Sequence, residues 1–174
     1  MVGVGRYKGR EDVTDSVGLL ISILVRYPEV ATINFDPAQR VLKFAFAVSR
    51  VLDTREMEII SQKLLDSMEV LNKLEGRAAR LSLVDRQECD SFTMIEIQRD
   101  VETLIQEEIS LIVELLRQNI ENSLIADETQ SLYEEDLLMQ EEIIERMLES
   151  VKGFAGDKKL FAFREEGRVL VFNK

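Results

Sequence analysis

Three stretches of two-residue alternation, each doubling back at a turn signal and each preceded by helical periodicity, constrain this chain most. In the first, Ala31, Ile33 and Phe35 alternate with Thr32, Asn34 and Asp36. Asp36-Pro37-Ala38-Gln39 supplies the turn, and Leu42, Phe44, Phe46 and Val48 line the returning strand. Such alternation marks strands with one buried face, and proline presets the turn dihedral. A second pair is expected near residues 79–85 and 91–98. Leu81 and Leu83 alternate in the first of these, Thr93, Ile95 and Ile97 in the second, with Gln87-Glu88-Cys89-Asp90 as the loop. A third lies near 158–164 and 168–173 around Glu165-Glu166-Gly167. Short turns join antiparallel neighbours, so the pairing is antiparallel.

Between the hairpins the apolar period lengthens to that of helices. A first helix is expected from Asp12 or Thr14, either of which can cap exposed amides, through Val17, Leu20, Ile21, Leu24 and Val25 to Tyr27-Pro28. A second spans Thr54 to Leu74 with Met57, Ile60, Leu64, Leu65, Met68, Leu71 and Leu74 on its apolar face and Gly76 at the C′ position. Residues 100–124 carry a stripe from Val101 to Leu124 wide enough for a central helix with several neighbours. Asp127 to Ser131 breaks that pattern. Residues 132–151 then present Leu137, Leu138, Ile144, Met147, Leu148 and Val151 before Gly153 and Gly156. The order α-ββ-α-ββ-α-α-ββ is an α+β class. It forms one domain over 11–174 with an acidic long-helix pair at 100–151, after a loose arm at 1–10 containing Arg6, Lys8 and Arg10. Laid without gaps over Phe161–Phe172, the segment Ile33–Phe44 matches Phe35 with Phe163, Arg40 with Arg168 and Leu42 with Leu170. This invites reading the chain as a repeated helix–hairpin unit.

Composition narrows function by exclusion. The 174 residues suffice for one domain with a real core. With no histidine and one cysteine, disulfide scaffolds, His-containing zinc sites and His-based triads are excluded within one chain. The net charge is −11, and residues 100–151 hold fifteen acidic groups against only Arg117 and Arg146. That field repels a phosphate backbone, which argues against nucleic acid, and attracts a basic protein surface. The longest apolar run, Val17 to Val25, falls far short of the roughly 20 residues of a membrane span. Glu11, Asp12 and Asp15 spoil a basic leader, and the lone Cys89 fits a reducing compartment, so the expected location is cytoplasmic with no membrane partner.

The chemistry-bearing groups read mostly as surface. Glu107, Glu114 and Glu121 recur every seven residues, and Glu134, Glu141 and Glu145 form a second row. Solvated helix faces explain both more simply than a hard cation between them, so no metal or cofactor is expected. Glu88 and Asp90 flank Cys89 and favour its neutral, inert thiol. Gly3-Val4-Gly5 lacks the preceding strand and third glycine of a phosphate-binding turn. Phe44, Phe46, Phe161, Phe163 and Phe172 alternate at strand spacing without interleaved basic residues, which assigns them to the core. The leading expectation is a non-enzymatic homodimer that works through protein contacts and docks a basic partner on Glu134, Glu141, Glu142, Glu145 and Glu149. The alternative is a small anionic-ligand sensor, or an enzyme built on carboxylates and arginines. Arg80, Arg86 and Arg99, from the basic stretch that begins at Arg77, would clamp the anion, and Glu96 or Asp85 would move a proton.

Overall fold

The computed structural model of the chain describes residues 10–127, 133–153 and 156–173, with side chains from residue 15 onward. Four helices and six strands follow in the order α1 (Arg10–Arg26), β1 (Val30–Asp36), β2 (Val41–Val48), α2 (Thr54–Leu74), β3 (Ser82–Glu88), β4 (Thr93–Asp100), α3 (Gln106–Asn119), α4 (Glu134–Val151), β5 (Leu160–Glu165) and β6 (Arg168–Asn173). The strands form one antiparallel sheet ordered β3-β4-β2-β1-β5-β6. The α+β class and the element order agree with the sequence reading.

One face of the sheet supplies the core. Ile33 and Phe35 of β1, Leu42, Phe44, Phe46 and Val48 of β2, Ile95 and Ile97 of β4 and Ala162 of β5 all point there and are buried. α1 covers β1, β5 and β6, α2 covers β3, and α3 packs beside α2. α4 lies on α1 and touches α3, so α1 is enclosed between the sheet and α4. Its burial at Val17, Leu19, Leu20, Ile23 and Leu24, nearly all round the helix, follows from that position. Arg164, on the inner row of β5, donates to the carbonyls of Leu24 and Tyr27 at 2.9 Å each and so satisfies the last turn of α1.

Local chemistry sets the element ends. Asp36 Oδ1 accepts from the amides of Ala38 (3.1 Å) and Gln39 (3.2 Å), and Arg40 takes φ 57° to close the β1–β2 turn. Asp53 and Glu56 form a reciprocal capping box at the start of α2. Glu166 and Gly167, at φ 51° and 77°, make the two-residue turn of β5–β6.

The structure corrects the sequence reading at several points. α1 starts at Arg10, earlier than Asp12 or Thr14, and residues 1–9 of the expected arm lie outside the described residues. An extra residue in β1, a bulge between Val30 and Thr32, puts Val30 rather than Ala31 on the core face. β3 runs over Ser82–Glu88, not 79–85, because Asp100 Oδ1 takes the amides of Arg80 and Leu81 (3.0 Å each) out of the ladder. Its inner row is consequently Ser82, Val84 and Arg86, and Leu83 faces out. The expected helix over 100–124 contains only α3. Asp100 Oδ2 accepts the Thr103 amide at 3.0 Å and holds 101–103 as a turn. The wide stripe was a composite of one helix and two packed connectors. On α2, Leu74 is exposed and Asn72 takes the buried place one turn after Met68.

The aligned hairpins share register but not orientation. Phe35 pairs with Leu42 just as Phe163 pairs with Leu170. β1 and β5 are themselves neighbours, however, with Ile33 opposite Ala162 and Thr32 opposite Phe163. Phe35 therefore points into the core and Phe163 points out. A one-residue slip reverses every side chain of a strand, so the matched letters are not a packing repeat.

At Gly18 α1 packs tightly on α4, since a Cβ there would lie 2.8 Å from Met147 Cε and 3.1 Å from its Sδ. The thioether end can yield to one methyl, and alanine gains up to about 1 kcal/mol of helix propensity over glycine. Gly18→Ala is thus expected to unfold in urea within about 1 kcal/mol of the wild type. Gly18→Leu should lose about 1–3 kcal/mol through overpacking. A leucine variant as stable as the alanine one would contradict this contact.

Candidate functional site

α4 runs antiparallel to α1. Gly18 and Ser22 lie against Met147, and Arg26, the last residue of α1, meets Glu141 at 3.5 Å. The first two turns of α4 therefore extend past the end of α1, and the buried residues of α4 start only at Ile144. On this overhang Leu138 is 60% exposed and Met139 59%, and Tyr133 just before the helix is 82% exposed. Glu134, Glu135 and Asp136 occupy the first turn, where the helix dipole favours negative charge. Glu135, Leu138, Met139 and Glu142 share one flank at spacings of three and four. The result is an apolar patch rimmed by carboxylates.

The five acids expected to dock a partner separate into two sets. Glu134, Glu142 and Glu149 face solvent, with Glu149 accepting from Lys152 at 2.6 Å. Glu141 and Glu145 turn inward. Glu145 Oε2 accepts the Gln106 amide at 3.1 Å and caps α3, whose own N-cap residue, Ile105, offers no side-chain acceptor. Glu141 accepts from the Gln106 amide group at 3.3 Å and pairs with Arg26. That amide group also donates to Tyr27 and, at 3.0 Å, to Ser110, while the Tyr27 and Ser110 hydroxyls lie 2.5 Å apart. Burial pushes the Tyr27 phenol above its ordinary value, and the Ser110 hydrogen bond and Arg26 charge only partly oppose it. These groups join the end of α1 and the start of α3 to the middle of α4.

The alternative anion clamp does not assemble. Arg99 is fully buried, and its guanidinium donates to both oxygens of the equally buried Glu108, to Asp100 at 2.5 Å, to Thr103 at 3.0 Å and to the Leu81 carbonyl at 3.1 Å. Asn72 completes this network by donating to Glu108 at 2.7 Å. Arg86 donates to the Leu52 carbonyl at 2.6 Å and to Thr54 at 3.2 Å, across the start of α2. Arg80 is exposed, Glu96 pairs with Lys43 at 2.9 Å, and Asp85 accepts from the Arg86 amide. Arg80 and Arg99 both reach Asp100 Oδ1, but Arg80 does so through its backbone amide, and among the described residues no two of the three guanidinium groups share a partner.

The remaining candidates occupy separate places. Cys89 sits half-buried in the β3–β4 turn, its amide donating to Phe92 O at 3.0 Å. Glu107, Glu114 and Glu121 are exposed, with Glu121 beyond the end of α3, and among the described residues no three carboxylates or thiols converge as metal ligands. Gly3-Val4-Gly5 lies outside the described residues. Of the aromatics assigned to the core, Phe44 and Phe46 are there. Phe161, Phe163 and Phe172 instead line the face of the sheet opposite the helices, with ring centroids 5.5 Å apart in a tilted pair and 5.7 Å apart in a stacked one.

Leu138, expected among the apolar positions of this helix, is instead exposed beside Met139, and their spacing explains it. Leu138 and Met139 fall off the stripe that Ile144, Leu148 and Val151 define. Among the described residues, no helix is long and apolar enough to cross a membrane. Comparison with protein-family models, curated proteins and solved structures gives no match in any of the three.

Proposed function

We propose that this is a non-enzymatic cytoplasmic protein of regulatory or adaptor type, a homodimer that binds a basic partner through the overhanging start of α4. The observation that carries this reading is Leu138 and Met139, exposed on a helix end bordered by Glu134, Glu135, Asp136 and Glu142. An apolar centre with a charged rim is the usual anatomy of a docking patch, and the sign of the rim selects a basic amphipathic helix. Compared with the expected row, Glu141 and Glu145 leave the docking set, and Glu135, Asp136, Leu138 and Met139 enter it. The intramolecular contacts of Arg86, Arg99 and Glu96 support a contact protein over an anion sensor.

Calorimetric titration with a synthetic amphipathic Lys/Leu helix tests this. Binding should weaken steeply with salt, because rim charges are screened over about 10 Å at 0.1 M. Glu135→Lys with Glu142→Lys should cost at least roughly tenfold in affinity, about 1.4 kcal/mol. Glu114→Lys with Glu121→Lys, within α3 and just beyond it, should cost much less. Equal losses from the two pairs would reduce the effect to net charge and overturn the site.

A further inference from the structure

Among the described residues β6 ends the sheet, and its sequence does not protect that edge. The opposite edge, β3, carries Asp85, Arg86 and Glu88, charges of the kind that discourage strand addition. β6 reads Arg-Val-Leu-Val-Phe-Asn, with a single charge at its start. The two-residue turn makes Glu165 and Arg168 the hydrogen-bonded pair that closes the hairpin. Bonded pairs alternate along an antiparallel ladder, so Arg168, Leu170 and Phe172 direct their backbone groups toward β5. Val169, Val171 and Asn173 direct theirs outward, where the described residues provide no further strand. Leu170 and Phe172 meanwhile point to the face opposite the helices, where Phe172 is 48% exposed and stacks on Phe163.

We propose that a second copy of this chain fills that edge, β6 pairing antiparallel with the partner's β6 about a twofold axis at Leu170. This register follows from what the strand offers. It sets Val169 opposite the partner's Val171, and these are the residues whose amides and carbonyls face outward, so each such pair exchanges both hydrogen bonds. Leu170 meets its own equivalent as a non-hydrogen-bonded pair. Each Arg168 lies opposite the partner's Phe172 on the same open face, where a guanidinium and an exposed ring attract one another. A twofold axis one residue on, at Val171, forfeits both Arg–Phe pairs. In this register the edge strand sets no like charges opposite each other, since Arg168 is its one charged residue. Residues 100–151 hold fifteen acidic groups against two arginines, whereas β6 itself bears no carboxylate. The inference rests on the homodimer reading above and locates its interface.

The test is cysteine cross-linking in the full chain with Cys89→Ser as background, beside sedimentation equilibrium. Opposed non-hydrogen-bonded residues have Cα atoms about 4.5 Å apart, within disulfide range. Leu170→Cys should thus oxidise to a covalent dimer at low micromolar protein. Phe172→Cys should not, because its equivalent lies four residues further along, and Leu83→Cys at the other edge should not either. Leu170→Lys, which sets two like charges on the axis, should sediment as a folded monomer by circular dichroism and still bind the Lys/Leu helix. Cross-linking at Leu170 no faster than at Phe172 would overturn the register. A dimer that persists in Leu170→Lys would move the interface elsewhere and spare the homodimer. A monomeric wild type at tens of micromolar would end both.

Discussion

Glu108→Leu should lower the stability of this protein by about 3–5 kcal/mol, because it strands the fully buried Arg99 without its main counter-charge. The guanidinium spends two of its donors on that carboxylate. The remaining contacts to Asp100, Thr103 and the Leu81 carbonyl do not replace them. Removing both charges is a different experiment. Arg99→Met with Glu108→Leu leaves side chains of similar volume with no buried charge between them, and such exchanges are often neutral or stabilising. The double variant should therefore recover most of the loss in urea unfolding, and the cycle should return a coupling of several kcal/mol. If the double variant is as unstable as Glu108→Leu, the pair is not the unit that matters.

Asp100 makes the same corner sensitive to acid. Burial raises its carboxyl, but the amides of Leu81 and Arg80, the Thr103 hydroxyl and the Arg99 charge outweigh burial and leave it below its ordinary 3.8. A carboxylate depressed in the folded state stabilises fully above its unfolded value, and that contribution disappears as pH falls through the folded one. Asp100→Asn keeps the shape and one acceptor oxygen. It should lose about 1–3 kcal/mol at pH 7, the range for a buried hydrogen-bond acceptor that is weakened or left partly unmet. Its stability should then fall less steeply than that of the wild type as pH drops below about 4. Parallel profiles for the two proteins would show that Asp100 titrates alike in the folded and unfolded chains.

The element order was legible because alternation and helical spacing differ sharply in β1, β2, α2, β5 and β6. What was not legible depended on parity and on side chains acting over distance. The row Thr93, Ile95, Ile97 extends by one step to Arg99, so the burial of that arginine was available from alternation. Glu108 likewise sits within the stripe of Ile105, Ile109 and Ile112. An acid and a base on two apolar rows are each other's natural partners. The capping of α3 by Glu145, from a helix 39 residues further on, had no local signal. The facing of Phe161 and Phe163 had none either, because it is set by the pairing of β1 with β5. The docking patch was half legible. Its charge came from composition, whereas the exposure of Leu138 and Met139 needed the antiparallel offset of α1 and α4.

That patch is tested most directly by residue-resolved amide chemical shifts during titration of the Lys/Leu helix into the isotopically labelled protein at low salt. The account predicts saturable shifts concentrated at Tyr133 to Glu142, abolished together by Leu138→Ser with Met139→Ser, in a protein that stays folded. Shifts spread evenly over the acids of α3 and α4, or indifferent to those two substitutions, would contradict it.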